Sequence, residues 1–283
     1  MYYYRSINTV TGMGMAFLLA VAVCTTGCDQ DETGIDGPKN PEKEASFIPE
    51  KNKKFIYNIE SDGSSAGTAT QNITGSKDSS GITVYNLHSL IQAGGASLTL
   101  DNKLFTLGGK TYTEIKVPDA WYQTVALLDQ MPNIEVTKTE LSGYPAYTVM
   151  QNALKEGSTI TTEGPPVQEQ LIEYINNGEP GSTKQEITQL LGSGRVETVT
   201  VPAGSFVCNK FTYEIGTRIT VKSGSTQETA NGNQKITLWM AHGVGMVRQE
   251  SNATLVSIIP LPTGEIKKIV TNTTSTTTLQ KIE

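Results

Sequence analysis

Few residues in this chain could carry catalysis. It holds two histidines, His88 and His242, and three cysteines, Cys24, Cys28 and Cys208. Those counts exclude zinc sites built from three histidines or four cysteines. A hydrolytic triad needs a nucleophile, a base and an orienting acid. Gly192-Ser193-Gly194 follows an expected helix rather than a strand, unlike the strand-borne serine of a nucleophile elbow. His88, in the run Tyr85-Asn86-Leu87-His88, could act as a base beside a Ser or Asp, or be an ordinary surface histidine. His242 sits among small residues that suit a turn. Glu169 and Glu173 stand four apart, a spacing that usually marks a solvated helix face. Gly94-Gly95 lacks a following Lys-Ser/Thr, Gly109-Lys110-Thr111 has Leu104 where a phosphate loop needs its first glycine, and Asp101-x-Lys103 is not an EF-hand. We therefore expect no catalytic residues, no metal and no cofactor. The formal net charge of -6 runs opposite to a nucleic-acid binder, so no nucleic-acid partner is expected.

The chemistry that stands out is at the N-terminus. Met13–Val23 is an uncharged apolar run. It is too short to span a bilayer, which takes about 20 residues, and fits the core of a secretory signal peptide. Thr25-Thr26-Gly27 then precede Cys28. This resembles a bacterial lipobox, in which cleavage falls before a cysteine that carries diacylglycerol; Thr25 departs from the usual aliphatic. The alternative is plain secretion with cleavage near Thr25 or Thr26. The next residues, Asp29, Gln30, Asp31 and Glu32, resemble the acidic surface-export tag of Bacteroidota lipoproteins. Two or more acyl chains on Cys28 would hold the protein on a membrane. Residues 1–27 are thus expected to be a signal peptide. Residues 28–54, rich in Pro, Gly, Lys and Glu, are expected to be a disordered tether.

The body, residues 55–283, reads as mainly β. Phe55, Tyr57 and Ile59 alternate with Ile56, Asn58 and Glu60, the period of a strand with one buried face. Short strands should follow through Val117, with Asp101-Asn102 as a hairpin candidate. Ala120–Leu128 has helical spacing after Pro118-Asp119. Val167–Ile175 fits helix or strand. Ser182 with Gln185 has capping-box spacing, which predicts a helix over Thr183–Leu191. A break near residues 157–166 could divide the body. Strands return from Val196, and the Thr-rich stretch Thr271–Leu279 is expected to be a final edge strand.

Two segments carry a resemblance. Val199-Thr200-Val201-Pro202-Ala203-Gly204-Ser205-Phe206-Val207-Cys208 is followed by Lys210 and Phe211, and later comes Trp239-Met240-Ala241-His242-Gly243-Val244-Gly245-Met246-Val247. Together, within Val196–Glu250, they are similar to the TapB-like and DUF3108-like bacterial lipoproteins. The resemblance implies a curved antiparallel sheet, a half-barrel like that of the lipoprotein carriers, with one to three short helices. Pro202, Gly204, Gly243 and Gly245 would then be the turns of that sheet. Phe206, Phe211 and Trp239 are candidates for lining its concave face. These readings converge on a lipid-anchored, non-enzymatic lipoprotein of the outer membrane and cell surface, bound to the membrane through Cys28 and binding a small apolar ligand. Two alternatives stay open. One is a surface adhesin or envelope-assembly component that pairs an edge strand with an envelope protein. The other is a glycan hydrolase.

Overall fold

The computed structural model describes residues 45–189, 191–260 and 266–283. Cys28, Asp29, Asp31 and Glu32, with the whole signal segment, lie outside the described residues. The chain forms β1 (Lys54–Ser61), β2 (Ser64–Ser79), β3 (Ile82–Ala93), β4 (Ala96–Leu107) and β5 (Lys110–Ile115). Helix α1 (Asp119–Asp129) follows, then β6 (Ile134–Ser142), β7 (Ala146–Gln151), β8 (Thr159–Glu163), β9 (Val167–Asn176) and β10 (Glu179–Gln189). The last strands are β11 (Gly192–Val201), β12 (Gly204–Ser223), β13 (Thr226–Ala241), β14 (Gly245–Pro260) and β15 (Ile266–Ile282).

Local chemistry explains the hairpins. β1 and β2 meet through Asp62-Gly63, and β9 and β10 through Asn177-Gly178, each with positive φ at both positions. Two-residue turns of that kind match the right-handed twist of strands, and Asn, Asp and Gly tolerate the backbone they need. The expected hairpin at Asp101-Asn102 is not formed. Those residues lie inside β4, and the turns fall at Gly94-Gly95 and Gly108-Gly109 instead.

All strands join one antiparallel sheet. Its order is β11-β8-β7-β5-β4-β3-β2-β1-β15-β14-β13-β12-β10-β9-β6, with β11 also paired to β12. Strand β12 makes this closure because it has two partners along its length. Gly204–Thr212 pairs with β11, and Ile215–Ser223 pairs with β10. β11 then meets β8 through Gly192 with Ile160 and Ser193 with Thr159. The curved antiparallel sheet therefore goes past a half-barrel and closes on itself, leaving β10, β9 and β6 as a flap. β6 ends the flap with one edge unpaired, and α1 packs beside it.

Thr183–Leu191 is not a helix: β10 spans most of it, with a full ladder to β9 on one side and β12 on the other. β-Branched Thr183, Ile187 and Thr188 suit that position, and long-range pairing overrides the local capping-box spacing. Val167–Ile175 resolves as strand, with Gln168, Gln170, Ile172 and Tyr174 buried in alternation. Glu169 thus lies on a sheet face, where Lys184 pairs with it at 2.6 Å. From Ser275 on the Thr-rich tail is not an edge, since β15 is paired there to both β14 and β1, whereas Thr271–Thr273 lie beyond the β1 ladder. That removes the surface for strand addition over Ser275–Thr278 of the Thr271–Leu279 stretch. The tether also ends sooner than residue 54, because Phe47 and Ile48 are buried. Residues 157–166 contain β8, and one sheet runs across them.

Candidate functional site

Strand periodicity sorts the three candidate lining residues. Phe206 and Phe211 lie on the same strand, an odd number of positions apart, so they face opposite sides. Phe211 stands across from Gly194 and Leu238. It is fully buried with Phe47, Met150, Ile160, Ile236 and Met240. Trp239 stands across from Lys210 and Arg248 instead. It packs with Cys208, Val199 and Val201, and Phe206 lies against that group. The three aromatics therefore belong to two neighbourhoods. Pro202 and Gly204 form the β11–β12 turn, with Gly204 at φ 135°. Gly243 and Gly245, at φ 68° and 78°, form the β13–β14 turn.

That second turn holds the segment Ser46–Glu50, here termed the strap. The Gly243 N–H donates to the Ser46 carbonyl at 3.0 Å, and the Glu50 N–H donates to the Gly243 carbonyl at 2.7 Å. The Phe47 N–H donates to Thr111 Oγ1 at 3.2 Å. The Phe47 ring meets Phe211 edge-on, with centroids 6.0 Å apart, and lies 5.3 Å from the His242 ring. Ile48 enters a second apolar group made by Ile73, Leu87 and Leu104. A Cβ on Gly245 would come within 2.9 Å of Pro49 Cγ and 3.2 Å of the Phe47 carbonyl oxygen. The A-H-G-V-G run thus does more than turn a corner. Its glycine leaves room for the strap.

The strap is held near balance. Burying Phe47 and Ile48 contributes about 1.5–3 kcal/mol each, and the three hydrogen bonds about 0.5–1.5 kcal/mol each. Ordering a five-residue segment costs about 1–2 kcal/mol per residue. With the buried Pro49 ring added, at about 1.5 kcal/mol, the two sides are of similar size.

A polar ledge borders the Phe47 pocket. Asn152 Oδ1 accepts from the Thr111 hydroxyl at 2.6 Å. The Asn152 carbonyl lies 2.6 Å from His242 Nε2. A carbonyl only accepts, so Nε2 carries the proton. Asn209 Nδ2 donates to the Ala153 carbonyl at 2.8 Å. Asn152 Nδ2 and Asn209 Oδ1 are buried without a hydrogen-bond partner.

The other neighbourhood centres on Trp239. Its indole N–H donates to Glu197 Oε1 at 2.5 Å. Lys210 Nζ lies 3.5 Å from the same carboxylate, and Arg195 Nε 3.3 Å from it. Lys210 Nζ also sits 4.7 Å from the indole centroid, and the Arg248 guanidinium carbon 5.4 Å. The indole hydrogen bond, with the nearby cations, holds the Glu197 carboxyl below its ordinary value. Cys208 is fully buried beneath this group. Burial, reinforced by the Glu197 charge, pushes its thiol up to about 12. Such a thiol is a packing residue rather than a nucleophile.

His88 pairs with Asp101 across β3 and β4, Nδ1 to Oδ1 at 2.7 Å. The nearest cross-strand neighbour of His88 on β2 is Asn72, which is not a nucleophile. Among the described residues, no cluster of three or more His, Cys, Asp or Glu could hold a metal ion. Sequence reasoning missed the strap. Its signal was present as Phe47-Ile48-Pro49, the apolar interruption of a polar, charged run.

The β11–β14 region that builds both neighbourhoods also carries the likeness to known proteins. Residues 193–257 match the DUF3108-like family model. That span contains Glu197, Cys208, Lys210, Phe211, Trp239, His242 and both turn glycines. No curated protein matches the chain. Two solved structures are similar. One is from Parabacteroides distasonis and is described as a lipoprotein: TM-score 0.45, 14% identity, covering 86% of this chain and 100% of that one. The other is from Bacteroides fragilis, described as an exported protein with a YmcC-like fold: TM-score 0.42, 16% identity, covering 84% of this chain and 99% of that one.

Proposed function

We propose that this protein is a lipid-anchored, non-enzymatic lipoprotein of the outer membrane, facing the cell surface, that binds a small apolar ligand inside its closed sheet. The observation that carries the reading is the pocket around Phe47. There Phe47, from a segment that belongs to no strand, is buried among apolar residues of β7, β8, β12 and β13. A protein whose interior had no other purpose could fill it from its own strands. Cys28 supplies the anchor, residues 29–45 the spacer, and the strap grips the body where the spacer ends. Asp29, Asp31 and Glu32 remain the proposed export tag.

The hydrolase alternative has little support. Among the described residues, each carboxylate with a resolved shift, namely Asp62, Glu140, Glu197 and Glu283, is held below its ordinary value. A general acid needs the opposite. An envelope partner pairing by strand addition would use an open edge such as β6, since β15 is paired on both sides over Ser275–Thr278.

Two experiments test the reading. Cys28→Ala should move the protein from the membrane to the soluble fraction of its host; retention in the membrane would refute the anchor. The released protein, examined by native mass spectrometry, should carry or accept one small apolar molecule. A protein that neither retains nor accepts any would refute the binding role.

A further inference from the structure

We infer that the strap is a built-in competitor for the apolar site: it plugs the pocket, and a single-chain amphiphile with a neutral hydroxyl or amide head displaces it. This rests on the apolar-ligand reading above and adds the site, the head group and the gate.

Three observations lead there. First, Phe47 and Ile48 sit where a ligand chain would, against Met150, Ile160, Phe211 and Met240 and then Leu87 and Leu104. The two groups are filled by consecutive strap residues, so departure of the strap empties both together, and one chain can enter both. Second, the strap can leave without breaking the sheet. Its inter-segment backbone bonds run to the β13–β14 turn and to the Thr111 side chain, and it pairs with no strand. Third, the pocket's border holds one unmet donor, Asn152 Nδ2, and one unmet acceptor, Asn209 Oδ1, on residues that are 4% and 0% exposed. Buried polar atoms are ordinarily paired, and unpaired ones call for an explanation. A hydroxyl or amide head both donates and accepts, so it satisfies both. An ionised carboxylate only accepts, leaving Asn209 Oδ1 facing a buried charge.

A site that must first expel its own plug binds more weakly in proportion to the open fraction. Weakening the plug should therefore strengthen binding. The test uses the full chain carrying Cys28→Ala, with 1-decanol as the probe. Calorimetry compares this parent with its Phe47→Ala derivative. The derivative should bind 1-decanol at least about tenfold more tightly, and decanoate at pH 8 should bind about tenfold more weakly than the alcohol. Hydrogen exchange on the parent adds a measurement that needs no strap variant. Saturating 1-decanol should speed exchange at the Phe47, Glu50 and Gly243 amides and leave the β1–β15 ladder unchanged.

Equal affinity in parent and derivative, with unchanged strap amides, overturns the plug and leaves the apolar-ligand reading standing. Binding by neither overturns both. Equal affinity for alcohol and decanoate overturns the head-group assignment. If Phe47→Ala does not fold, exchange in the parent decides alone: faster strap amides support the plug, and unchanged ones overturn it.

Discussion

Gly245→Ala combined with Pro49→Ala isolates the contact between the turn and the strap. Gly245 has φ 78°, so any side chain there is strained by about 1–2 kcal/mol. The new methyl also meets Pro49 Cγ at 2.9 Å and the Phe47 carbonyl oxygen at 3.2 Å. The pyrrolidine ring cannot swing aside as a flexible chain would. Pro49→Ala removes Cγ and Cδ at a buried position, a loss of about 1.5 kcal/mol. In the double variant the methyl finds open space where Cγ had been. Its cost should fall short of the two single costs summed by about 1 kcal/mol. If Gly245→Ala expels the strap altogether, Pro49→Ala adds nothing in that background, and the coupling has the same sign. The backbone strain and the Phe47 carbonyl contact are common to both arms and cancel. Urea denaturation of the four proteins, with equal slopes, gives the coupling. Additivity within about 0.5 kcal/mol would show that the strap does not lie on Gly245 in solution.

Glu197→Gln should cost about 1–2 kcal/mol, because a charged acceptor of the Trp239 indole becomes neutral in a partly solvated place. The wild-type carboxyl is held low. Its contribution is complete above the ordinary glutamate value and is lost as pH falls through the lower folded value. Acid titration of stability should therefore flatten in the variant, and an unchanged acid limb would refute the pairing. Cys208 should resist iodoacetamide at pH 8 in the folded protein and react at once in 6 M guanidinium; rapid labelling of the native state would show that its burial is wrong.

Much of the architecture is legible in the residues, for reasons that are local. The alternation in β1 and the helix after Pro118 rest on neighbours in sequence, whereas the hairpin turn read at Asp101-Asn102 lies inside β4. β10 is not legible that way. Ser182 and Gln185 have the spacing of a helix start, and the outcome is decided by β9 and β12, whose registers exist only once the chain has folded. The tail shows the same limit. Thr-rich composition says strand, but whether that strand is an edge depends on β1, more than two hundred residues earlier.

The candidate site was half legible. Period 2 alone separates Phe206 from Phe211, so one concave face could never have held both. What periodicity cannot supply is the partner of a short apolar interruption in a charged run. Phe47 finds Thr111 and Phe211, and Pro49 finds Gly245, across separations that no window of sequence spans. The strap also changes the meaning of the glycines in the A-H-G-V-G run. A turn needs a positive φ at Gly245, which Asn could approximate. The 2.9 Å approach of Pro49 admits no Cβ. A substitution that restores the turn but not the space, such as Gly245→Asn, should therefore keep the β13–β14 hairpin and lose the strap. Fast exchange at the Phe47 and Glu50 amides beside protected β13 amides would show that outcome, and protection at both would refute it.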